Sequence, residues 1–136
     1  ERVKESASAS IEGLNVLLVE DNELNMEIAR FIIENEGAKV TCVTNGKEAV
    51  DIYKNAPGSF DIILMDIMMP EMDGLQATQV IRSFDHDIPI VAMTANAFME
   101  DKIKAKKAGM NAYVSKPLDR DILIQVIAKL CGYKSV

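Results

Sequence analysis

From Asn15 onward, short apolar runs alternate with longer stretches whose apolar residues recur every three or four positions. Val16-Leu17-Leu18-Val19 is a continuous apolar run that stops at Glu20-Asp21. Over residues 24–36, Leu24, Ile28, Phe31 and Ile32 form the stripe of an amphipathic helix, and Gly37 can end it in a left-handed cap. Lys39-Val40-Thr41-Cys42-Val43 alternates polar and apolar positions, which suits an edge strand with one wet face. Asn45 can cap a second helix carrying Ala49, Val50 and Tyr53, broken at Pro57-Gly58.

The cycle then repeats. Ile62-Ile63-Leu64-Met65 runs into Asp66, and a Met72-Asp73-Gly74 turn opens a helix with Leu75, Val80 and Ile81. Ile88 to Met93 runs into Thr94, before a helix with Ala97, Ile103 and Ala108 that stops at Gly109. Ala112-Tyr113-Val114 runs into Ser115-Lys116-Pro117, and Asp119 can cap a last helix with Ile122, Leu123, Val126, Ile127 and Leu130. Continuous apolar strands are covered on both faces, and helical crossovers between them make the sheet parallel. The pattern predicts an α/β doubly wound fold, with a five-stranded parallel sheet and five helices. The alternating second strand belongs at an edge, which gives the order 2-1-3-4-5.

Residues 1–12 show neither period; they are charged, then rich in Ser and Ala, and read as a linker or tail. The expected domain is 13–136, and the start at Glu1 is expected of a piece cut from a longer polypeptide. With 136 residues and 49% hydrophobic positions, the chain is long enough for one packed domain. No apolar run reaches the roughly 18–20 residues of a membrane span. Fifteen Lys and Arg against 21 Asp and Glu leave a net charge of -6, which argues against a broad nucleic-acid surface. Cys42 and Cys131 sit among apolar residues and read as small buried hydrophobes of a reducing compartment, so the expected location is cytoplasmic.

In an open parallel sheet, ligands bind beyond the carboxyl ends of the strands. There the first strand delivers Glu20 and Asp21, the third Asp66, the fourth Thr94 and the fifth Lys116. Three gathered carboxylates repel one another and need positive charge. Lys116 supplies one such charge. Hard oxygen ligands with room for water favour Mg²⁺ as a second source. A carboxylate beside Mg²⁺, faced by a lysine and a threonine hydroxyl, has the parts for phosphoryl transfer to an aspartate. Singly, each residue has a plainer reading: an acidic helix entry, a strand terminator, a helix cap, a solvated loop lysine. Four strand ends filled with compatible chemistry exceed what caps alone would produce.

This set, with Val-Leu-Leu-Val-Glu-Asp-Asn from Val16, Met-Asp-Ile-Met-Met-Pro-Glu-Met-Asp-Gly from Met65 and Met-Thr-Ala-Asn-Ala from Met93, resembles the response-regulator receiver domains of two-component signalling, whose fold is flavodoxin-like. The resemblance covers residues 14–132. It implies that Asp66 is the phosphoacceptor, taking its phosphoryl group from a histidine. It also implies that Glu20, Asp21, Asp66 and the backbone carbonyl of Met68 hold Mg²⁺. Thr94 would be the switch hydroxyl, Tyr113 the aromatic switch and Lys116 the phosphate-pairing lysine, with a cis bond to Pro117. Ala95 is small and would leave the phosphoaspartate open to water, and Met68 and Asn96 lie where side chains can gate hydrolysis. Glu20 stands where many members have Asp, which keeps the charge.

Asp21-Asn22-Glu23-Leu24-Asn25 and Met93-Thr94-Ala95-Asn96-Ala97 look like receivers fused to hybrid sensor histidine kinases. The expected partners are a histidine kinase domain or a histidine phosphotransfer protein, with no nucleic acid or membrane contact by this domain, as a monomer or weak dimer. A membrane-bound sensor reached through the linker is compatible with this reading. A stand-alone response regulator is the main alternative. An aspartyl-nucleophile phosphatase would need an acid where Met68 stands, and a nucleotide or flavin site would need a Gly-rich loop where Glu20-Asp21-Asn22-Glu23 stands. His86, in a polar loop, reads as bland. Lys102, Lys104, Lys106 and Lys107 read as a solvated helix face trailing Glu100 and Asp101. The methionines near the site could give an adaptable partner surface.

Overall fold

The computed structural model describes residues 10–69, 72–95 and 99–131. In chain order the elements are β1 (Asn15–Val19), α1 (Glu23–Glu34), β2 (Lys39–Val43), α2 (Gly46–Asn55), β3 (Ile62–Asp66), α3 (Gly74–Arg82), β4 (Ile90–Thr94), α4 (Met99–Ala108), β5 (Ala112–Ser115) and α5 (Arg120–Leu130). All strand pairs are parallel and the sheet order is β2-β1-β3-β4-β5. The predicted doubly wound α/β fold is the observed one, with β2 at one edge and β5 at the other.

The apolar runs become strands because each residue has a covered face to fill. Val16 and Leu18, Ile62 and Leu64, and Val91 and Met93 point to one side, where α1 and α5 supply Ala29, Ile33, Leu123, Ile124 and Ile127. Leu17 and Val19, Ile63 and Met65, and Ile90 and Ala92 point to the other, against Ala49, Val50 and Tyr53 of α2, Ala77 and Ile81 of α3, and Ala105 of α4. β3 and β4 are buried at every position, whereas β2 is half-exposed, as its alternation predicts. Asn22, Asn45, Asp73 and Asp119 cap α1, α2, α3 and α5 through their side chains, and Asp73 forms a capping box with Gln76. Gly37 follows α1 with φ +91°, the left-handed position that its glycine suits.

The helix stripes fit less well. Leu24, Ile28 and Phe31 of α1 are exposed, and the core takes Ala29 and Ile33 instead. Val80, Ile103 and Ile122 are likewise exposed, with Ala77 and Thr78, Ala105 and Ala108, and Leu123 and Ile124 buried in their helices. Ala97 lies outside the described residues. Cys131 is buried but Cys42, on the edge strand, is only half-buried. Ile11, read above as part of the lead-in, is 1% exposed and packs in the core with Leu14.

Two glycines bring backbone against backbone beneath the third strand. A Cβ on Gly74 would sit 2.3 Å from the Asp66 carbonyl oxygen, and one on Gly46 would sit 2.3 Å from the Met72 carbonyl oxygen. Their amides use that closeness: Gly74 N–H donates to Ile67 O (2.9 Å) and Gly46 N–H to Met72 O (3.0 Å).

Candidate functional site

At the carboxyl ends of β1, β3, β4 and β5 the structure brings together the residues singled out from the sequence. β3 ends in Asp66, whose side chain is buried, beside Glu20, buried, and Asp21, exposed. One carboxylate oxygen from each of the three lies within 4.8 Å of the others. The loop after β5 swings Lys116 over this cluster. Its Nζ is 2.8 Å from Glu20 Oε1 and 3.3 Å from Asp66 Oδ2. The Lys116 amide donates to Thr94 O (2.8 Å), which continues the β4–β5 ladder up to the site, and the Lys116–Pro117 bond is cis. Thr94 is buried at the end of β4.

Backbone amides fix the two buried carboxylates. Glu20 accepts from the Asn22 amide (3.2 Å) and Asp66 from the Met68 amide (3.3 Å). The Met68 side chain points outward, 74% exposed at the rim. Asn96 lies outside the described residues.

Burial is the main cause that pushes the Asp66 carboxyl up to about 7; the Glu20 charge adds to it, and Lys116 offsets part. Burial alone would lower the Lys116 ammonium, but its hydrogen bond to Glu20 and the charges of Asp66 and Glu20 hold it above its ordinary value. One ammonium therefore offsets only part of the burial and the Glu20 charge that hold the Asp66 carboxyl up. A hard divalent cation fits this donor set: three carboxylate oxygens in reach of one point, one carboxylate open to water, and an unmet need for positive charge. Bound there, it would favour the ionised form of Asp66.

Tyr113 sits half-buried in β5, packed against the second core cluster, with Lys102 Nζ 4.6 Å from its ring centroid. Ile67, Thr94, Asp101, Lys102 and Tyr113 together line a crevice beside the site. The sequence reading left Lys102 among solvated lysines. No motif marks a contact between a helix and a strand whose relative placement only the fold decides.

The response regulator receiver domain family matches residues 16–128. The chain belongs to this family. It is 37% identical over 142 residues to probable histidine kinase 4 of Oryza sativa subsp. japonica, a match covering 88% of this chain and 14% of that kinase. It therefore spans about one seventh of the length of that relative. The receiver domain of the sensor histidine kinase PA1611 from Pseudomonas aeruginosa PAO1, crystallised with magnesium coordinated in its active-site cleft, superposes with a TM-score of 0.81 at 37% identity, over 88% of this chain and 98% of that one. The receiver domain of Ssk1 from Saccharomyces cerevisiae, co-crystallised with the histidine phosphotransfer protein Ypd1, gives 0.83 at 31% identity, over 92% and 93%. This receiver domain thus shares fold and sequence with receivers of histidine kinases and of phosphorelay partners. Among its described residues no helix is long and apolar enough to cross a membrane.

Proposed function

We propose that Asp66 is the phosphoacceptor of this receiver domain and that Glu20, Asp21, Asp66 and the Met68 carbonyl hold Mg²⁺ beside it. The observation that carries this reading is the buried Asp66 carboxylate at the end of β3, with Glu20 and Asp21 in metal-binding reach and the Lys116 ammonium 3.3 Å away. Phosphotransfer breaks the P–N bond of a phosphohistidine and forms a P–O bond to an Asp66 oxygen. The imidazole nitrogen keeps the electron pair and takes a proton from water. Lys116 neutralises charge on the phosphoryl oxygens, and Thr94 donates its hydroxyl hydrogen to one of them. Tyr113, beside the same crevice as Thr94, relays that change to the α4–β5 surface.

The donor is a histidine-bearing domain that meets α1. Leu24 (69% exposed), Ile28 (42%) and Phe31 (70%) form an apolar ridge on α1. Between that helix and the loop after β5, a cavity of about 260 Å³ is lined by Glu20, Asn25, Ile28, Lys116, Pro117 and Leu118. An apolar ridge bordering the carboxylate site suits a helical partner that must place one side chain at Asp66. The receiver of Ssk1, captured with a phosphotransfer protein, supports this partner class. The histidine-kinase relatives support a place within a hybrid sensor kinase, whose sensor would tether the domain to a membrane.

Incubation with phosphoramidate and Mg²⁺, followed by intact-mass analysis, tests the assignment of Asp66. One added phosphoryl group is expected on the wild type and none on Asp66→Asn. Equal labelling of the two proteins overturns it.

A further inference from the structure

Tyr113 borders two spaces of unequal size. On the Thr94 side, the crevice bounded by Ile67, Thr94, Asp101 and Lys102 has no room for a water molecule. On the α4 side, a cavity of about 260 Å³ is lined by Lys102, Ala105, Lys106, Met110, Asn111 and Ala112. Lys102 borders both spaces, and its ammonium lies over the ring face at 4.6 Å from the centroid. That is within the distance at which a cation is drawn to the negative face of an aromatic ring. Lys102 is half-buried, unlike the exposed Lys104, Lys106 and Lys107 of the same helix, so its head is not simply dispersed in solvent.

We infer that Lys102 is a positioning residue for Tyr113: its charge holds the ring in the placement seen here and sets how readily the ring moves when Asp66 is phosphorylated. This rests on the reading of Tyr113 as the residue that relays phosphorylation. Moving the ring into either space means leaving or reorganising the Lys102 contact. A substitution that keeps the aliphatic stem and removes the charge lowers that barrier without emptying the packing around it. A guanidinium, which stacks on aromatic faces at least as well, preserves the hold. The loss of one such contact at a half-exposed site shifts a two-position equilibrium by roughly two- to five-fold.

The test is NMR of the Tyr113 ring in the whole chain, free and with Mg²⁺ and beryllofluoride, for wild type, Lys102→Met and Lys102→Arg. In the free protein, the Lys102→Met ring signals are expected to lie part-way toward the wild-type beryllofluoride position, and those of Lys102→Arg at the free wild-type position. A Lys102→Met spectrum that overlays the free wild type overturns the proposal, as does a Lys102→Arg spectrum displaced as far as Lys102→Met. If the wild-type ring does not respond to beryllofluoride at all, the relay reading fails and takes this inference with it. Because that is seen in the wild type alone, the two failures are distinguishable.

Discussion

A carboxylate can be costly or stabilising according to what its neighbours donate, and Asp66 and Asp85 are opposite cases. Asp66 is buried beside Glu20, so its ionisation opposes the fold, a cost that Lys116 offsets only in part. Asp85 is the opposite case. The Tyr53 hydroxyl donates to its Oδ2, the Asp87 and Ile88 amides donate to its Oδ1, and its carboxyl is held below the ordinary carboxylate value, the Tyr53 hydrogen bond being the largest cause. Tyr53 itself is raised, first by burial and then by the Asp85 hydrogen bond and charge. A depressed carboxyl gives stability that is present above the unfolded value of about 4 and lost as pH falls through the folded value. A raised phenol gives stability present below about 10 and lost as pH rises beyond it. Tyr53→Phe should therefore lower stability near neutral pH by about 1–2 kcal/mol. It should also flatten both limbs of the pH profile in urea unfolding. A variant whose acid limb stays as steep as the wild type's would count against the Tyr53–Asp85 bond as its source.

At the scale of the helix, α1 shows what hydrophobic periodicity can and cannot tell. Leu24, Ile28 and Phe31 do share a face, as their spacing requires, but that face meets solvent while Ala29 and Ile33 meet the sheet. Periodicity fixes which residues lie together and is silent on which side faces the core. The strands carried no such ambiguity, because a run covered on both faces leaves no side to choose. The strand-end residues were legible for the same reason: once the runs were placed, Asp66, Thr94 and Lys116 could fall only at their carboxyl ends. Contacts set by how elements pack were not legible. Arg82, for instance, donates from α3 to Gly109 O (2.9 Å) and to Asn111 Oδ1 (2.9 Å), which in turn accepts from the Ile90 amide (2.8 Å). The exposed ridge yields its own prediction. Leu24→Glu with Phe31→Glu should leave thermal stability within about 0.5 kcal/mol, as both side chains are already in water. It should slow phosphotransfer from a histidine phosphotransfer domain by about tenfold or more, with labelling by phosphoramidate unchanged. Equal slowing with both donors would place the effect at the site rather than in docking.

For the molecule as a whole, a metal held by the acidic cluster would couple binding to folding. A cation that binds only the folded chain should stabilise it by about 2.7 kcal/mol at one hundred times its dissociation constant. Asp21→Ala should erase most of that gain while changing metal-free stability little, because Asp21 is exposed. Glu20→Ala should cost more without metal, since it strips the half-buried Lys116 ammonium of its 2.8 Å partner. Thermal unfolding across a Mg²⁺ titration separates the two, and a wild-type metal response in Asp21→Ala would remove Asp21 from the site. Around this charged centre the walls differ in how closely they are packed. On one side, Gly46 and Gly74 lock α2 and α3 to the third strand and its loop with carbonyl oxygens where any Cβ would have to be. On the other, α4 is seated by only two buried alanines, Ala105 and Ala108, whereas α5 buries four residues. Were Asp66 to take a phosphoryl group, the flank closed by the two glycines would have no slack to give, and the displacement is expected to travel toward α4.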